Sequence, residues 1–286
     1  MSSSIGLYRD FNTYSAIKQK FRSNNSCLVK ADKGEALVVI SNHLHKDKVR
    51  DFLTTTQATA TNIHFYTYNL QVRAAIKNST YVLPNKKDRD SAYMMNSAIP
   101  LLYGQIKTYK PLLPIRPVVA SYCHPAFKLS KLLRQWFTFY SKFSSLRAVK
   151  NSFQFAWKIY QKSYPSTSIL AVNMFTNILV IYTIELMAYL LTNNNVPDPA
   201  VNEFKKLMKI AIGNNFCQFR NQTFLFPDGL PMRGPLSSLV AEVFMAHVES
   251  EILDNGQGCP SILEWFRYVD DVFCVWDGPL NDLHFF

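Results

Sequence analysis

The stretch RYVDDVFCVW, Arg267 to Trp276, decides the fold. Two adjacent carboxylates, Asp270 and Asp271, stand between residues that alternate and branch as β-strands do, so the pattern predicts a β-hairpin with the acids at its tip. A pair of aspartates alone is a weak sign of catalysis, because surface turns often carry two acids. The rest of the sequence has to supply the other groups of any metal site.

Composition suits one large or two modest globular domains, because 48% of the 286 residues are hydrophobic and 14% are aromatic. Residues 1–150 carry 23 Lys and Arg against 7 Asp and Glu, whereas residues 151–286 carry 8 against 13. The asymmetry fits a basic half that binds a polyanion beside carboxylates that bind cations. It equally fits uneven surface solvation.

The five cysteines are scattered and form no CxxC pair, which argues against a disulfide framework or a zinc knuckle and favours a reducing compartment. The N-terminal residues lack the apolar run of a secretory signal. We therefore expect an intracellular protein, nuclear or cytoplasmic, that is not secreted.

The segment Ile169 to Leu191 is nearly long and apolar enough to cross a bilayer. It contains several polar residues, among them Glu185, and one buried acid costs about 3 kcal/mol on membrane-insertion scales. A buried strand followed by a buried helix explains the segment better than a membrane span. No membrane partner is expected.

The remaining sequence predicts alternating short elements. Proline and lysine between residues 78 and 117 indicate loops and edge strands, and residues 126–162 have the spacing of amphipathic helices. Other predicted elements are a strand at Ala36–Ile40, helices at His45–Leu53, Asn202–Ile212 and Pro235–Leu253, and a hairpin at Phe216–Phe226 that turns at Arg220-Asn221.

Four stretches occur in an order that resembles a known family: KADKGEALVVI (Lys30 to Ile40), IRPVVASYCHPAFKLSKLL (Ile115 to Leu133), GLPMRGPLSSLVAEVFMAHVE (Gly229 to Glu249) and the RYVDD hairpin. Together they resemble the reverse transcriptases, and within them the Penelope-like retroelements, which are relatives of telomerase. The stretches span most of the chain. The resemblance implies a reverse transcriptase, an RNA-directed DNA polymerase, from a retrotransposon.

The resemblance also implies the fold. We expect an α+β right-hand polymerase, with an antiparallel palm sheet backed by helices and with mixed fingers. Residues 1–155 are predicted to form the N-terminal region and basic fingers, and residues 156–286 the palm. The sequence given ends soon after the YVDD hairpin, so the palm is expected to be truncated there and the thumb to be missing.

For chemistry, the resemblance implies two Mg²⁺ ions that activate a primer hydroxyl and steady a triphosphate. Asp270 would bind metal and Asp271 would support it, because magnesium prefers oxygen ligands. The implied partners are an RNA template, a DNA primer and a deoxynucleoside triphosphate. No obligate protein partner is indicated.

Nucleotide contacts are implied at several further positions. Arg116, with Lys110 close by, would contact the triphosphate, because guanidinium pairs bidentately with phosphate. Phe175 would pack under the sugar and exclude a 2′-hydroxyl, although a plain core position explains it equally well. The loop residues carried over from the family motif are Gly229, Met232 and Gly234.

Two positions depart from the family pattern. The family reads roughly S-F-D-V-V-S-L-F-T-N-I-P, and this chain reads SILAVNMFTNIL from Ser168 to Leu179, which places Leu170 where the first metal-binding aspartate belongs. Arg233 replaces a glycine whose missing Cβ admits the nascent base pair, although Arg233 could instead reach a phosphate. We expect impaired catalysis and doubtful Mg²⁺ binding. The alternatives are a polymerase whose missing acid comes from elsewhere and a non-catalytic basic RNA-binding remnant.

Overall fold

The computed structural model describes residue 13 and residues 15–62, 64–160, 162, 178–213, 215–227, 229–230, 234–254, 261–269 and 271–279. The described residues form a mixed α+β structure that divides into two compact units. Unit 1 contains the described residues of Met1–Ile63, Ile99–Ala120 and Phe216–Pro227, and unit 2 contains the others. The units alternate along the sequence, so residues 216–227 belong to the same unit as the N-terminal residues. The predicted division at residue 155 into fingers and palm stays a prediction.

Unit 1 is built on β-strands. Strands β1 (Ser26–Lys30) and β2 (Leu37–Ser41) form an antiparallel hairpin. A five-stranded mixed sheet has the order β3-β7-β6-β4-β5, in which β4 and β6 are parallel and the other pairs are antiparallel. Its strands are β3 (Thr59–Ala60), β4 (Leu101–Ile106), β5 (Ile115–Ala120), β6 (Phe216–Phe219) and β7 (Gln222–Leu225).

Helix α1 (Asn42–Thr55) covers this sheet. It begins at a capped end, because the Ser41 hydroxyl accepts a hydrogen bond from the N–H of Leu44 at 3.1 Å. The side chains that form the core of unit 1 come from both layers and are fully or nearly buried: Val49 and Leu53 of α1 with Leu102, Val119 and Cys217 of the sheet. Burial raises the pKa of Cys217 to about 12, so its thiol stays protonated and inert.

The predicted hairpin between β6 and β7 is confirmed, including its turn. Arg220 and Asn221 both have positive φ, at 47° and 66°, as a two-residue turn with the twist of antiparallel strands requires. Asparagine tolerates this conformation better than most residues. The turn chemistry therefore fixes the register in which Phe219 faces Gln222.

The described residues of unit 2 are mainly helical and include one hairpin. Helix α7 (Asp198–Ile212) contributes Phe204, which is fully buried and stacks on Trp136 and Phe137 of α4 (Phe127–Ser141) at 5.3 and 5.7 Å between ring centroids. The elements are α2 (Phe65–Lys77), α3 (Lys86–Ala92), α4 (Phe127–Ser141), α5 (Ser152–Tyr160), α6 (Val180–Asn193), α7 (Asp198–Ile212), α8 (Ser237–Leu253), β8 (Ile262–Tyr268) and β9 (Asp271–Trp276).

Most predicted elements are confirmed, and two need correction. Pro117 lies on edge strand β5, as proline-rich chain should. Helix α3, however, lies in a region predicted as loop, where Arg89 donates to the carbonyls of Ser79, Leu83 and Pro84 and so anchors the helix to the preceding chain. The helix predicted from Pro235 begins at Ser237.

The apolar segment from Ile169 to Leu191 is described only from residue 178, where it leads into helix α6. The strand predicted at its start lies outside the described residues. Within the part of the chain that the structure describes, no helix has the length and apolar character needed to cross a membrane.

The partly buried carboxylate of Glu203 connects helix α7 to the loop at residues 79–82. Glu203 of α7 accepts hydrogen bonds from the Ser79 hydroxyl at 2.5 Å and from the N–H groups of Thr80 and Val82 at 2.9 and 2.8 Å. Partial burial by itself would raise the pKa of Glu203, but these bonds together lower it below its ordinary value. The carboxylate thus accepts hydrogen bonds from loop N–H groups that lie outside any helix or strand.

We expect Glu203→Gln to destabilise the protein by about 2 kcal/mol at pH 7, because an amide presents N–H to these donors and hydrogen bonds to a charged group are the stronger ones. Since the folded pKa is depressed, the stabilisation is present above the unfolded pKa and is lost as pH falls through the folded value. Urea unfolding at pH 7 and about pH 3 measures this. The difference in the free energy of unfolding between wild type and Glu203→Gln should disappear in acid. Glu251→Gln, at an exposed position, should show almost no difference from wild type at either pH. A gap that stays constant with pH would contradict the assignment.

Candidate functional site

The hairpin that carries the aspartates lies in unit 2. Strands β8 and β9 pair antiparallel, and Tyr268 opposite Asp271 is the last pair before the turn. Asp271 is exposed at the first position of β9, as predicted, whereas Asp270 lies outside the described residues. Val269 in the turn has a φ of 57°, a left-handed conformation that a β-branched residue rarely adopts. The surroundings must hold this strained turn in place.

Arg267 supplies part of that hold. Its side chain is only 1% exposed, and its guanidinium forms ion pairs with two glutamates of α8: Nε lies 2.6 Å from Glu249 Oε1, and Nη2 lies 3.0 Å from Glu242 Oε1. Arg267 Nη1 also donates to the carbonyl of Val269 at 3.3 Å, inside the turn. Burial alone would lower the pKa of Arg267, but its hydrogen bonds and charge interactions with Glu242 and Glu249 raise it, so the group stays cationic.

Neighbouring chain completes the support of the hairpin. The Ser145 hydroxyl accepts a bond from Arg267 Nη2 at 3.2 Å, and residues 147–149 pair with β8 through Val149 N–H to the Arg267 carbonyl at 2.8 Å. On α5, the Phe155 ring packs edge-on against Phe273 at 5.0 Å between centroids. The hairpin tip is therefore held through buried charge as well as through apolar packing.

Sequence reasoning assigned no role to this buried network. A signal was present, because Glu242 and Glu249 are seven residues apart, two turns of α8, and therefore lie on one face of a largely apolar helix. An arginine within an apolar strand is the natural partner for such acids.

Arg116 and Lys110, which are predicted to contact the triphosphate, lie in unit 1, where Arg116 contacts a buried acid. Arg116 on β5 pairs with Asp32 at 2.8 Å between Nη1 and Oδ1, and the Tyr109 hydroxyl donates to Asp32 Oδ2 at 2.8 Å. The Asp32 side chain is 1% exposed, whereas that of Arg116 is 45% exposed. The guanidinium is thus anchored at one end and open to solvent elsewhere.

Further cations lie near this pair. Burial and the charges of Arg116 and Lys110 lower the pKa of Lys107, while Asp32 opposes them, and Lys33 Nζ lies 4.6 Å from the Tyr109 ring centroid. We call Lys33, Lys107, Lys110 and Arg116 the basic cluster. These four cations and the one buried acid, Asp32, together carry net positive charge, which favours binding of an anion such as phosphate.

Of the other predicted positions, only Gly229 and Gly234 are among the described residues. Gly229 has a φ of 85°, which favours glycine, and its carbonyl accepts from the Asn215 side chain at 3.4 Å. The Gly234 carbonyl accepts from Ser237 N–H, where α8 begins. Among the described residues, no group of three or more His, Cys, Asp or Glu side chains could hold a metal ion. The predicted positions outside the described residues are Asp270, Phe175, Met232, Leu170 and Arg233.

Comparison with known proteins identifies no family for this chain. No protein-family model matches the chain, and no curated protein matches it. The reverse transcriptase resemblance therefore stays a prediction. It rests on the four sequence stretches alone.

Proposed function

We propose that this chain is a reverse transcriptase domain of the Penelope-like retrotransposon type, which retains nucleotide and RNA binding but is impaired as an RNA-directed DNA polymerase. One observation carries the proposal. The four stretches that resemble the family meet in pairs, one pair in each unit. Such contacts are expected if the stretches are parts of one inherited fold.

In unit 1, Asp32 of the KADKGEALVVI stretch contacts Arg116 of the IRPVV stretch. In unit 2, Glu242 and Glu249 on the helix of the GLPM stretch contact Arg267 of RYVDD. Each contact joins residues that are distant in sequence and uses a charged side chain at most 2% exposed, either Asp32 or Arg267. Buried charges are rarely left without a specific partner, so these pairs support the proposed relationship.

The carboxylates present do not fit a two-metal site. Asp270 and Asp271 provide oxygen ligands at the hairpin, but the family's first aspartate is replaced by Leu170, which has no lone pair to offer. The described residues provide no further acid grouped with Asp271 for a metal. We therefore derive no catalytic step for this chain.

Binding is supported on different grounds. The basic cluster offers Arg116 and Lys110 to nucleotide phosphates, and no acidic residue occurs between Asp90 and Glu185. That stretch carries 11 Lys and Arg residues, so an RNA backbone would meet little repulsion along it. The same observation favours the second candidate, a basic RNA-binding protein without catalysis.

Primer extension separates an impaired from an active polymerase. Purified protein with an RNA template, a DNA primer, deoxynucleotides and Mg²⁺ is expected to give no extension, because the metal ligands are incomplete. Extension near the rate of an active reverse transcriptase would refute the impairment. An active reverse transcriptase serves as the positive control for template and primer.

Filter binding of single-stranded RNA tests the proposed binding. If about four phosphates are neutralised, affinity should fall by about 50-fold between about 50 and 200 mM salt. Replacing Lys107 and Arg116 by alanine should weaken binding and reduce the slope of log K against log salt by about 1.4. Lys206→Ala, on an exposed position of α7, is the matched control and should leave the slope unchanged. Absent or salt-insensitive binding would discard both candidate functions.

A further inference from the structure

Asp32 is an acid that contacts a cluster of cations proposed to bind anions. It is the one acid in contact with the basic cluster among the described residues, and a negative charge beside bound phosphate is repulsive. Its burial also carries a desolvation cost. An acid at this position must therefore contribute something other than charge balance if the cluster binds anions.

The contacts of Asp32 indicate what that contribution is. Its backbone is fixed to β4, because Asp32 N–H donates to the Ile106 carbonyl at 2.8 Å and Ala31 bridges to Ile106. Its carboxylate joins Arg116 on β5 to Tyr109 in the loop between β4 and β5. Two chain segments that carry the cluster are thus held at one buried, backbone-anchored group.

The arginine gains orientation from this contact. Arg116 Nη1 and Asp32 Oδ1 form an ion pair at 2.8 Å in which the buried Oδ1 accepts no hydrogen bond from the described residues, and the 45% exposure of the Arg116 side chain leaves other N–H groups accessible to a ligand. A long arginine side chain that is already ordered loses less conformational freedom on binding. Lys33 over the Tyr109 ring is ordered through the same network, because Tyr109 is held by Asp32.

We propose that Asp32 is a positioning residue for polyphosphate binding: it fixes Arg116 and Tyr109 so that the basic cluster meets the phosphates of a nucleotide. The inference rests on the proposed function, since it takes the basic cluster to be an anion site. Asp32 acts through Arg116 and does not itself touch the ligand.

The direction in which one substitution changes the affinity for an anion tests the proposal. Asp32→Asn removes a negative charge, so a role limited to charge would make anion binding tighter, whereas loss of positioning makes it weaker. We expect inorganic tripolyphosphate to bind the variant about fivefold more weakly by calorimetry on the full chain, because an ordered arginine binds with less entropy loss. Glu35→Gln, an exposed acid in the same turn, makes the same charge change and should bind as tightly as wild type or slightly more tightly.

A spectroscopic measurement reports the positioning itself. The hydrogen bond to Asp32 raises the pKa of Tyr109, followed by smaller effects of burial and of the Asp32 charge. In Asp32→Asn the tyrosinate absorbance assigned to Tyr109, by difference from Tyr109→Phe, should appear at lower pH. An unchanged Tyr109 titration would overturn the proposal.

The outcomes separate the two proposals. If the wild type does not bind tripolyphosphate, the anion site of the proposed function fails, and the role of Asp32 fails with it. If the wild type binds and Asp32→Asn binds more tightly, the positioning role alone is overturned. If Asp32→Asn does not fold, Tyr109→Phe replaces it, because it removes one anchor without changing charge. Weaker binding by Tyr109→Phe supports the proposal and unchanged binding contradicts it.

Discussion

Arg267→Met is expected to destabilise the protein by about 3–5 kcal/mol, because it leaves the buried carboxylate of Glu249 without its cation. The Glu249 side chain is 2% exposed, and it also accepts a hydrogen bond from the Trp265 indole N–H at 3.0 Å. Methionine fills similar volume, so the loss comes mainly from the uncompensated charge rather than from a cavity. The strained turn at Val269 also loses the donor that holds its carbonyl.

Urea unfolding at pH 7 measures the effect, with Arg147→Met as the matched control. Arg147 pairs with Asp254 at 2.7 Å in the same unit, but that pair is partly exposed, and exposed pairs contribute about 0–1 kcal/mol. Adding Glu249→Leu to Arg267→Met should restore part of the stability, since the buried charge is then gone. A loss below about 1 kcal/mol for Arg267→Met would show that the network does not hold the hairpin.

Sequence patterns predicted the elements whose determinants are local. The β6–β7 turn follows from Arg220-Asn221 between apolar strand residues, and the hairpin of RYVDD follows from alternation on both sides of the acids. Edge strand β5 was indicated by Pro117. In each case neighbours in sequence carry the physical cause, so no knowledge of the tertiary fold was needed.

What could not be predicted depends on contacts between distant residues. Asp32 and Arg116 both lie in stretches that resemble the family, but nothing in either stretch indicates that they form an ion pair. Helix α3 was missed because its stability comes from Arg89 bonding to the chain before it rather than from apolar periodicity. Arg116 and Lys110 of the basic cluster could thus be named from the sequence, whereas the ion pair of Arg116 with Asp32 could not.

Leu170→Asp combined with Arg233→Gly is expected to strengthen divalent metal binding by at least about tenfold, because affinity rises with the number of carboxylate ligands. The family pattern places Leu170 opposite Asp270, so the substitution would add the oxygen donor that the wild-type sequence lacks there. Arg233→Gly removes a cation from the GLPM stretch, which would otherwise oppose a metal through like charge.

Titration with Mn²⁺, followed by paramagnetic resonance of the free ion, measures the change, and the single variants separate its causes. Leu179→Asp is the control: it makes the same change at an exposed position nearby and should leave the affinity unchanged. Arg233→Gly alone should give a smaller gain than the double variant, since it removes a like charge but adds no ligand. Adding Asp271→Asn to the double variant should reverse the gain, because a neutral amide is a weaker ligand than a carboxylate. Unchanged affinity in the double variant would mean that Leu170 does not occupy the position of the first metal-binding aspartate. The impairment would then need another cause.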